Sequence, residues 1–319
     1  MFLVILGHIK YCMKKVSVVT INYNQDKITE ELLVSIAETN TYENLEVIVV
    51  DNGSTVNPIP LWTGKYADVK FIRSEVNLGF SGGNNIGIAQ ATGDYYFLVN
   101  NDTEFSPGLV QKLVDILDTH PEVGIISPKL VYDFDRSIIQ YVGFTQVDYY
   151  TCRNRAVGKG EKDNGQYDNL LGQTGYCHGG AMMVKRETCE KAGLMADNFF
   201  IYYEEVDWGE RINRSGYQAW VRGDAVIYHK ESMTVGKKSA FKEYFMNRNR
   251  ILFIRHNAPF FKALVFYFYF MLLVVPRNVV GYIKEKKYNF IPILFRAIWW
   301  NVTHSKHSTE LGFTINKVS

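Results

Sequence analysis

Carboxylates and carboxamides stand at the ends of four short apolar runs in this chain. The first run ends in Thr20-Ile21-Asn22-Tyr23-Asn24 and the second in Val50-Asp51-Asn52-Gly53-Ser54. The third leads into Asn77-Leu78-Gly79-Phe80-Ser81-Gly82-Gly83-Asn84-Asn85, and the fourth ends in Asn100-Asn101-Asp102. A turn or a helix cap explains each group singly. Jointly they suit a pyrimidine edge, a ribose diol and a metal-bound diphosphate, because an open parallel sheet binds ligands at the carboxyl ends of its strands. The first turn lacks GxGxxG and nothing matches GxxxxGK[ST], which counts against a dinucleotide dehydrogenase and a P-loop NTPase. A further acidic group, Glu204-Glu205-Val206-Asp207, opens a predicted helix. On that helix Glu204 and Asp207 share a face and Glu205 lies about 100° away, so only part of the cluster can face a substrate. The structural alternative is an acidic first turn that complements the helix dipole.

Positioning these residues requires alternating strands and helices. Between residues 16 and 127, β-branched runs at 16–21, 45–50, 69–72, 95–99 and 124–126 alternate with amphipathic stretches at 28–36, 87–91 and 109–117. That pattern reads as β-α-β units on a mainly parallel sheet. Residues 45–50 and 95–99 are nearly continuous apolar runs, as strands covered on both faces should be. Ser106-Pro107 predicts a capped helix start with a first-turn proline. Residues 128–178, aromatic and polar with Arg153, Arg155, Lys159 and Lys162, are expected to form a flexible insertion facing an acceptor. Beyond it the pattern predicts a strand at 181–184, helices near 186–192 and 204–214, and a strand pair at 217–221 and 225–228.

The 319 residues, 47% hydrophobic and 21% charged, supply one sizeable core, and a net charge of +2 gives no reason to expect a nucleic-acid partner. Cys12, Cys152, Cys177 and Cys189 show no CxxC pairing and no zinc spacing, so reduced thiols in a cytoplasmic setting are expected. Residues 1–12 read as an N-terminal extension, residues 13–255 as the catalytic domain and residues 256–319 as a C-terminal helical segment. Within that segment residues 263–275 carry no charge and are ended by Pro276, a run short for a membrane span but long enough to lie in an interface. Seven basic residues against two acidic ones between Arg277 and Ser319, with Trp299 and Trp300, favour an anionic membrane surface. A helical pair packed on the enzyme or on a second subunit is the alternative.

The strand end at 18–24, Val49-Val50-Asp51-Asn52-Gly53-Ser54, Asn77-Leu78-Gly79-Phe80 with Gly83-Asn84, Leu98-Val99-Asn100-Asn101-Asp102 and Phe199-Phe200-Ile201-Tyr202-Tyr203-Glu204-Glu205-Val206-Asp207-Trp208 together resemble glycosyltransferase family 2, especially its rhamnosyltransferase-like members. The resemblance covers about residues 16–255. It implies an α/β, three-layer GT-A fold, with residues 13–127 as the nucleotide-sugar-binding half and 128–255 as the acceptor-binding half. It also implies inverting transfer and a divalent cation, Mg2+ or Mn2+. By resemblance Asp51 contacts the base or ribose. Thr20, Asn22, Asn24, Asn52, Ser54, Asn77, Gly79, Phe80, Gly83, Asn84, Asn100 and Asn101 surround the nucleotide sugar, and Asp102 with His229 meets the metal. Glu205 is the expected base, with Glu204 or Asp207 orienting it, Gly179, Gly180 and Trp208 at the acceptor, and Arg248 aimed at phosphate.

Two positions depart from the family pattern: Asn100-Asn101-Asp102 holds one carboxylate where two are common, and Glu204-Glu205 stands where Glu-Asp is usual. The expected donor is dTDP-rhamnose or a UDP-hexose, and the expected acceptor a lipid-linked or surface polysaccharide precursor at the cytoplasmic membrane face. A sugar nucleotidyltransferase would need a Gly- and Arg-rich first loop, which Asn22-Tyr23-Asn24 is not. A non-enzymatic glycan-binding scaffold would not need both Asp102 and Glu205.

Overall fold

The computed structural model describes residues 13–230 and 239–315. The expected N-terminal extension, with Cys12, lies outside the described residues. The nucleotide half runs β1 (Val16–Asn22), α1 (Asp26–Thr39), β2 (Leu45–Asn52), α2 (Ile59–Lys65), β3 (Val69–Ser74), α3 (Gly79–Ala89) and β4 (Tyr95–Val99). These four strands are parallel. Their apolar runs split by period two: Val47 and Val49 of β2 enter one core layer with Leu32, Leu33 and Ile36, while Ile48 and Val50 enter the opposite layer with Ile88. Two buried layers on one sheet explain why β2 and β4 lack a polar face.

The second half comprises β5 (Thr103–Phe105), α4 (Leu109–Thr119), β6 (Val123–Tyr132), β7 (Ile139–Tyr141), β8 (Leu171–Gln173), β9 (Ala181–Lys185), α5 (Arg186–Ala192), α6 (Glu204–Arg214) and β10 (Gln218–His229). The sheet order is β3-β2-β1-β4-β9-β6-β10-β5, with β7 beside β6 and β8 beside β10. The antiparallel β9 joins the two halves by pairing with both β4 and β6.

Local structure differs from expectation in several places. The glycine-rich run that begins at Gly79 is more than a turn or a cap: it forms the body of α3, which starts eight residues before the expected stretch at 87–91. Gly83 and Gly87 are required there because a Cβ would lie 2.9 Å from Ile21 Cδ1 and 2.3 Å from Val19 Cγ1 on β1. Helix α4 starts at Leu109, after Gly108 in the left-handed region, and the Ser106 hydroxyl donates to Val226 O at 2.5 Å instead of capping. The strand pair is one strand, β10, bulged between Arg222 and Val226. The insertion at 128–178 is packed: Ile139, Tyr141 and Val142 are buried in the main core, and the nearly inaccessible Lys129 is held by Asp163 at 2.7 Å and Asp168 at 2.8 Å. Cys152, Cys177 and Cys189 are free and buried.

The C-terminal region is α7 (Ala240–Asn257), α8 (Phe260–Tyr269), a π-turn (Phe270–Val274), α9 (Val275–Lys284) and α10 (Phe290–Thr303). Pro276 does not end the apolar run. It sits in the first turn of α9, where the preceding π-turn has already shifted the hydrogen-bond register and a missing N–H is tolerated. Phe260–Lys284 is therefore one 25-residue helix whose most apolar 18-residue stretch has mean hydropathy 1.8, long and apolar enough to cross a membrane by length and composition. Phe266, Phe270, Val274 and Tyr282, four residues apart or a multiple of it, are buried in a core shared with Phe199, Val206 and Leu252. Phe261, Val265, Phe268 and Leu272 are exposed on the remaining surface, so the helix lies along the domain.

Arg248 ties this region down. It is fully buried, stacks 3.9 Å from the Trp300 ring centroid, and donates to Asn249 Oδ1 at 2.7 Å and Asn198 O at 2.8 Å. Burial lowers its pKa to about 10. It cannot serve as the expected phosphate ligand, because helices α7 and α10 enclose it. Replacing Arg248 with Ala should cost about 3 kcal/mol by leaving a void and unpaired carbonyls. Urea denaturation checks this, and unchanged stability with slowed transfer would restore the phosphate role.

Candidate active site

The strand ends converge as the topology requires. Asn22 and Asp51 are register partners on β1 and β2, and Asn22 Nδ2 donates to Asp51 Oδ1 at 2.9 Å and to Ser54 Oγ at 3.1 Å. Thr29 Oγ1 donates to Asn22 Oδ1 at 3.0 Å and accepts from Asn101 Nδ2 at 2.9 Å, which carries the network to the end of β4. Asp51 is fully buried, ion-paired with Arg73 and absent from the cavity lining, so in this conformation it does not meet a base or ribose directly. Asn24, at φ 54°, accepts from Thr55 N and clamps two loops together. Thr20 and Asn84 are buried away from open space; Asn84 Nδ2 is spent on Phe80 O. Gly83 serves helix packing, as described. These residues shape the site from beneath its surface.

Above them lies a cavity of about 570 Å3, lined by Tyr23, Gln25, Asn52, Asn77, Gly79, Phe80, Asn100, Asn101 and Asp102 on one side. Asn52 accepts from Leu78 N at 3.0 Å and donates to Gly79 O at 2.9 Å, which holds the turn that presents Gly79 and Phe80. Gly79 has φ +73°, and a Cβ there would lie 2.2 Å from Phe200 O. The opposite wall is apolar: Phe200, Ile201, Phe241, Phe313 and Ile315, with Thr314. Residues 310–315 fold back over the site, anchored by Trp300 Nε1 donating to Glu310 O and Tyr244 OH donating to Leu311 O. The C-terminal segment thus builds part of the cavity and is not a mere appendage.

Asp102 faces His229, the last residue of β10, with Oδ1 to Nε2 at 3.1 Å. His229 Nδ1 lies 2.8 Å from Gln140 Oε1. With Nδ1–H donating to that oxygen, Nε2 presents a lone pair toward a carboxylate oxygen, and two acceptors in contact call for a cation or a proton between them. One carboxylate on the cavity wall with one imidazole behind it fits Mn2+ or Mg2+ completed by water and diphosphate oxygens. Among the described residues no group of three or more His, Cys, Asp or Glu gathers around a metal position.

The acidic helix begins after a strained turn. Phe200, Tyr202 and Tyr203 have φ of 66°, 69° and 73°, values that bulky residues rarely adopt. Asn249 Nδ2 holds the turn from 2.7 to 2.9 Å off the carbonyls of Phe199, Ile201 and Tyr202. Beside the enclosed Arg248, it is the Asn249 carboxamide that supports this turn. Glu205 is half-buried, and burial pushes its carboxyl up to about 7 despite backbone hydrogen bonds. Glu204 is buried and raised well above the usual range, first by burial and then by the charge of Glu205. Oε2 of each lacks a partner among the described residues. A Cβ on Gly179 would lie 3.6 Å from Phe80 Cζ and 4.0 Å from Glu205 Cγ, which puts Glu205 beside the ring that lines the cavity. Gly180 O accepts from Asn100 N, so Gly179 and Gly180 join β9 to the Asp102 turn.

Two expected members of this group are elsewhere. Asp207 is fully buried; burial would raise its pKa, but His256, Arg211 at 2.8 Å and Asn257 at 2.8 Å hold it at about 2. Trp208 is fully buried with Nε1 donating to Gly193 O, so neither meets an acceptor. A residue outside the expected set, His178, lies beside His229. His178 Nδ1 accepts from Gly180 N at 2.9 Å, which leaves Nε2–H as a donor, and its ring centroid is 6.1 Å from that of His229. Burial and the charges of His229 and Lys159 lower its pKa to about 3, so it is a neutral donor throughout the working range.

Residues 17–193 match glycosyl transferase family 2. The low-salt glycan biosynthesis hexosyltransferase Agl10 of Haloferax volcanii is 26% identical over 88% of this chain and 89% of its own length. An N-acetylglucosaminyl-diphospho-decaprenol L-rhamnosyltransferase of Mycobacterium tuberculosis is 22% identical over 76% of this chain and 85% of its own. Among solved structures, a mannosyltransferase from Pyrobaculum calidifontis in complex with GDP-Man and Mn2+ superposes with a TM-score of 0.55 at 18% identity, covering 92% of this chain and 76% of that one. The fold is GT-A. By sequence and by the architecture just described, the chain is a nucleotide-sugar-dependent glycosyltransferase and belongs to glycosyltransferase family 2.

Proposed function

We propose that the protein moves a hexose with inversion from a nucleoside diphosphate carrier to a hydroxyl of a lipid-linked polysaccharide precursor. The observation that carries this reading is Asp102 on the cavity wall, backed by His229, with Glu205 beyond Phe80 and Gly179. One pole can hold a diphosphate and the other can take a proton. Asp102 and His229 would hold Mg2+ or Mn2+, which neutralises charge on the departing phosphates. Glu205 accepts the acceptor hydroxyl proton as the new C–O bond forms at the anomeric carbon. The bond from that carbon to the phosphate oxygen breaks, and the nucleoside diphosphate leaves with the electron pair. Glu204, kept neutral by burial, prevents a second negative charge beside the base. The walls of Phe200, Phe241 and Phe313 exclude water that would hydrolyse the donor.

The names of the hexosyltransferase and rhamnosyltransferase relatives support dTDP-rhamnose as first donor to test, with UDP-hexoses next. The exposed apolar face of Phe260–Lys284 and the basic residues after it support peripheral contact with the inner face of the cell membrane. A screen of dTDP-, UDP- and GDP-sugars, reading nucleoside diphosphate release with and without Mn2+, should give cation-dependent release from one donor. Neither release nor binding of any donor would refute the transfer reading.

A further inference from the structure

A second cavity, of about 470 Å3, opens where α7 ends and α8 begins. Ile254, Ala258 and Ala263 line it together with Phe260, Leu264 and Tyr267, which are exposed. The last three stand at i, i+4 and i+7 and so form one stripe of α8, which continues through the exposed Phe268 and Met271. Arg255 and Lys306 are the two charged residues in the lining, and no Asp or Glu joins them. The cavity shares no residue with the donor cavity.

The fold holds both cations in place and neutralises neither. The Arg255 guanidinium donates to His304 O at 2.9 Å and to Asn301 Oδ1 at 3.3 Å, so the end of α10 fixes its direction. A guanidinium carries five N–H donors, and these two bonds leave part of the fork for an anion. Lys306 is set by its backbone: its carbonyl oxygen accepts from Asn198 Nδ2 at 2.8 Å and from His256 Nε2 at 2.6 Å. Its ammonium lies 3.5 Å from Arg255 O, which brings the second cation to the turn of α7 that carries the first. Neither forms an ion pair with a carboxylate among the described residues. Burial also holds the Arg255 pKa below its ordinary value. Two partly buried cations beside an apolar wall carry a desolvation cost that an anion would offset.

We propose that this cavity binds the phosphate headgroup of one anionic glycerophospholipid through Arg255 and Lys306, with the acyl chains beside Phe260, Leu264 and Tyr267. This rests on the membrane contact proposed above and gives that contact a defined site. The ligand must join an anion to hydrocarbon, because the lining joins two unpaired cations to an exposed apolar stripe. A prenyl phosphate has like chemistry, but as part of an acceptor its phosphate would have to stand within one sugar of the reacting hydroxyl. A cavity with no residue in common with the donor site suits a resident membrane lipid better.

Dihexanoyl phosphatidylglycerol, kept monomeric, serves as probe in calorimetric titration of the full chain. The wild type should bind it saturably, and glycerol 3-phosphate at least about tenfold more weakly for want of the chains. Lys306→Gln should weaken the lipid at least about tenfold, and Lys306→Arg should recover most of the affinity. Phe260→Ser, at a fully accessible edge of the wall, should weaken the lipid about fivefold and leave glycerol 3-phosphate unaffected. Cation-dependent nucleoside diphosphate release should stay unchanged in all three variants. No binding by the wild type, equal affinity in Lys306→Gln, or glycerol 3-phosphate bound as tightly as the lipid would overturn the proposal. Farnesyl phosphate bound more tightly than phosphatidylglycerol would overturn it too, since the occupant would then be an acceptor lipid. Sedimentation with phosphatidylglycerol vesicles separates the two readings. Vesicle binding undiminished in Lys306→Gln, with no binding of the soluble lipid, removes the site and keeps the membrane contact. Soluble lipid bound by a wild type that ignores vesicles supports the site and removes the contact.

Discussion

Glu205→Gln should slow sugar transfer by about three orders of magnitude, the middle of the range for a lost general base, while leaving donor affinity within about twofold. The geometry supports this separation because Glu205 lies beyond Phe80 and Gly179 and does not line the donor cavity. The same substitution tests the site's pH dependence. With its pKa raised to about 7 from 4.5, the carboxyl binds more protons in the folded than in the unfolded chain between those values. Stability contributed by this group is therefore full below the unfolded value and falls as pH rises through about 7, while activity, which needs the carboxylate, rises over the same interval. The Gln variant has no such penalty. It should be more stable than wild type at pH 8 and similar at pH 4.5, as urea midpoints will show. Turnover near the wild-type rate would remove Glu205 from the base role.

The second large effect belongs to Asp102. Asp102→Asn keeps the size of the side chain and the backbone bond from Lys230 N to Asp102 O at 2.8 Å, so the fold should persist. What changes is the charge of the one carboxylate at this turn. Nucleoside diphosphate release should fall about a hundredfold to a thousandfold, the usual cost of losing one electrostatic stabiliser of a departing group. Mn2+ affinity, read by titration calorimetry in the presence of nucleoside diphosphate, should fall with it. Full activity in the variant, or activity indifferent to chelation, would show that the Asp102–His229 pair does not hold a cation.

The parts of this site that were legible in the sequence are those where one strand end places one residue. Asn22, Asp51 and Asp102 follow apolar runs whose parallel pairing brings them to one edge, and the alternation of Val47, Ile48, Val49 and Val50 between two layers already states that helices cover both faces. Legibility ended where long-range packing decides. The run from Gly79 to Gly83 looks like a turn until β1 presents Ile21 and Val19 to Gly83 and Gly87. Arg248 and Trp208 carry the residue types of a binding surface, yet each is enclosed by helices that no local pattern announces. Asp207 shares its run with Glu205 but meets Arg211, Asn257 and His256, two of them fifty residues away or nearly so. His178 was hidden because its tautomer depends on the Gly180 backbone N–H, a contact of conformation rather than composition.

The strap at residues 310–315 bears on how the enzyme comes into being. Tyr23 and Gln25 stand on one side of the cavity and Phe313, Thr314 and Ile315 on another, nearly the whole described chain apart. A nascent polypeptide can complete its parallel sheet and seat Asp102 long before that last wall has left the ribosome. Until then the donor pocket is open toward Phe200 and Phe241, and the aromatic surface that will exclude water is itself wet. Closing that wall therefore depends on residues that follow the whole sheet in the chain, so the cavity is the part of the fold with the greatest separation in sequence.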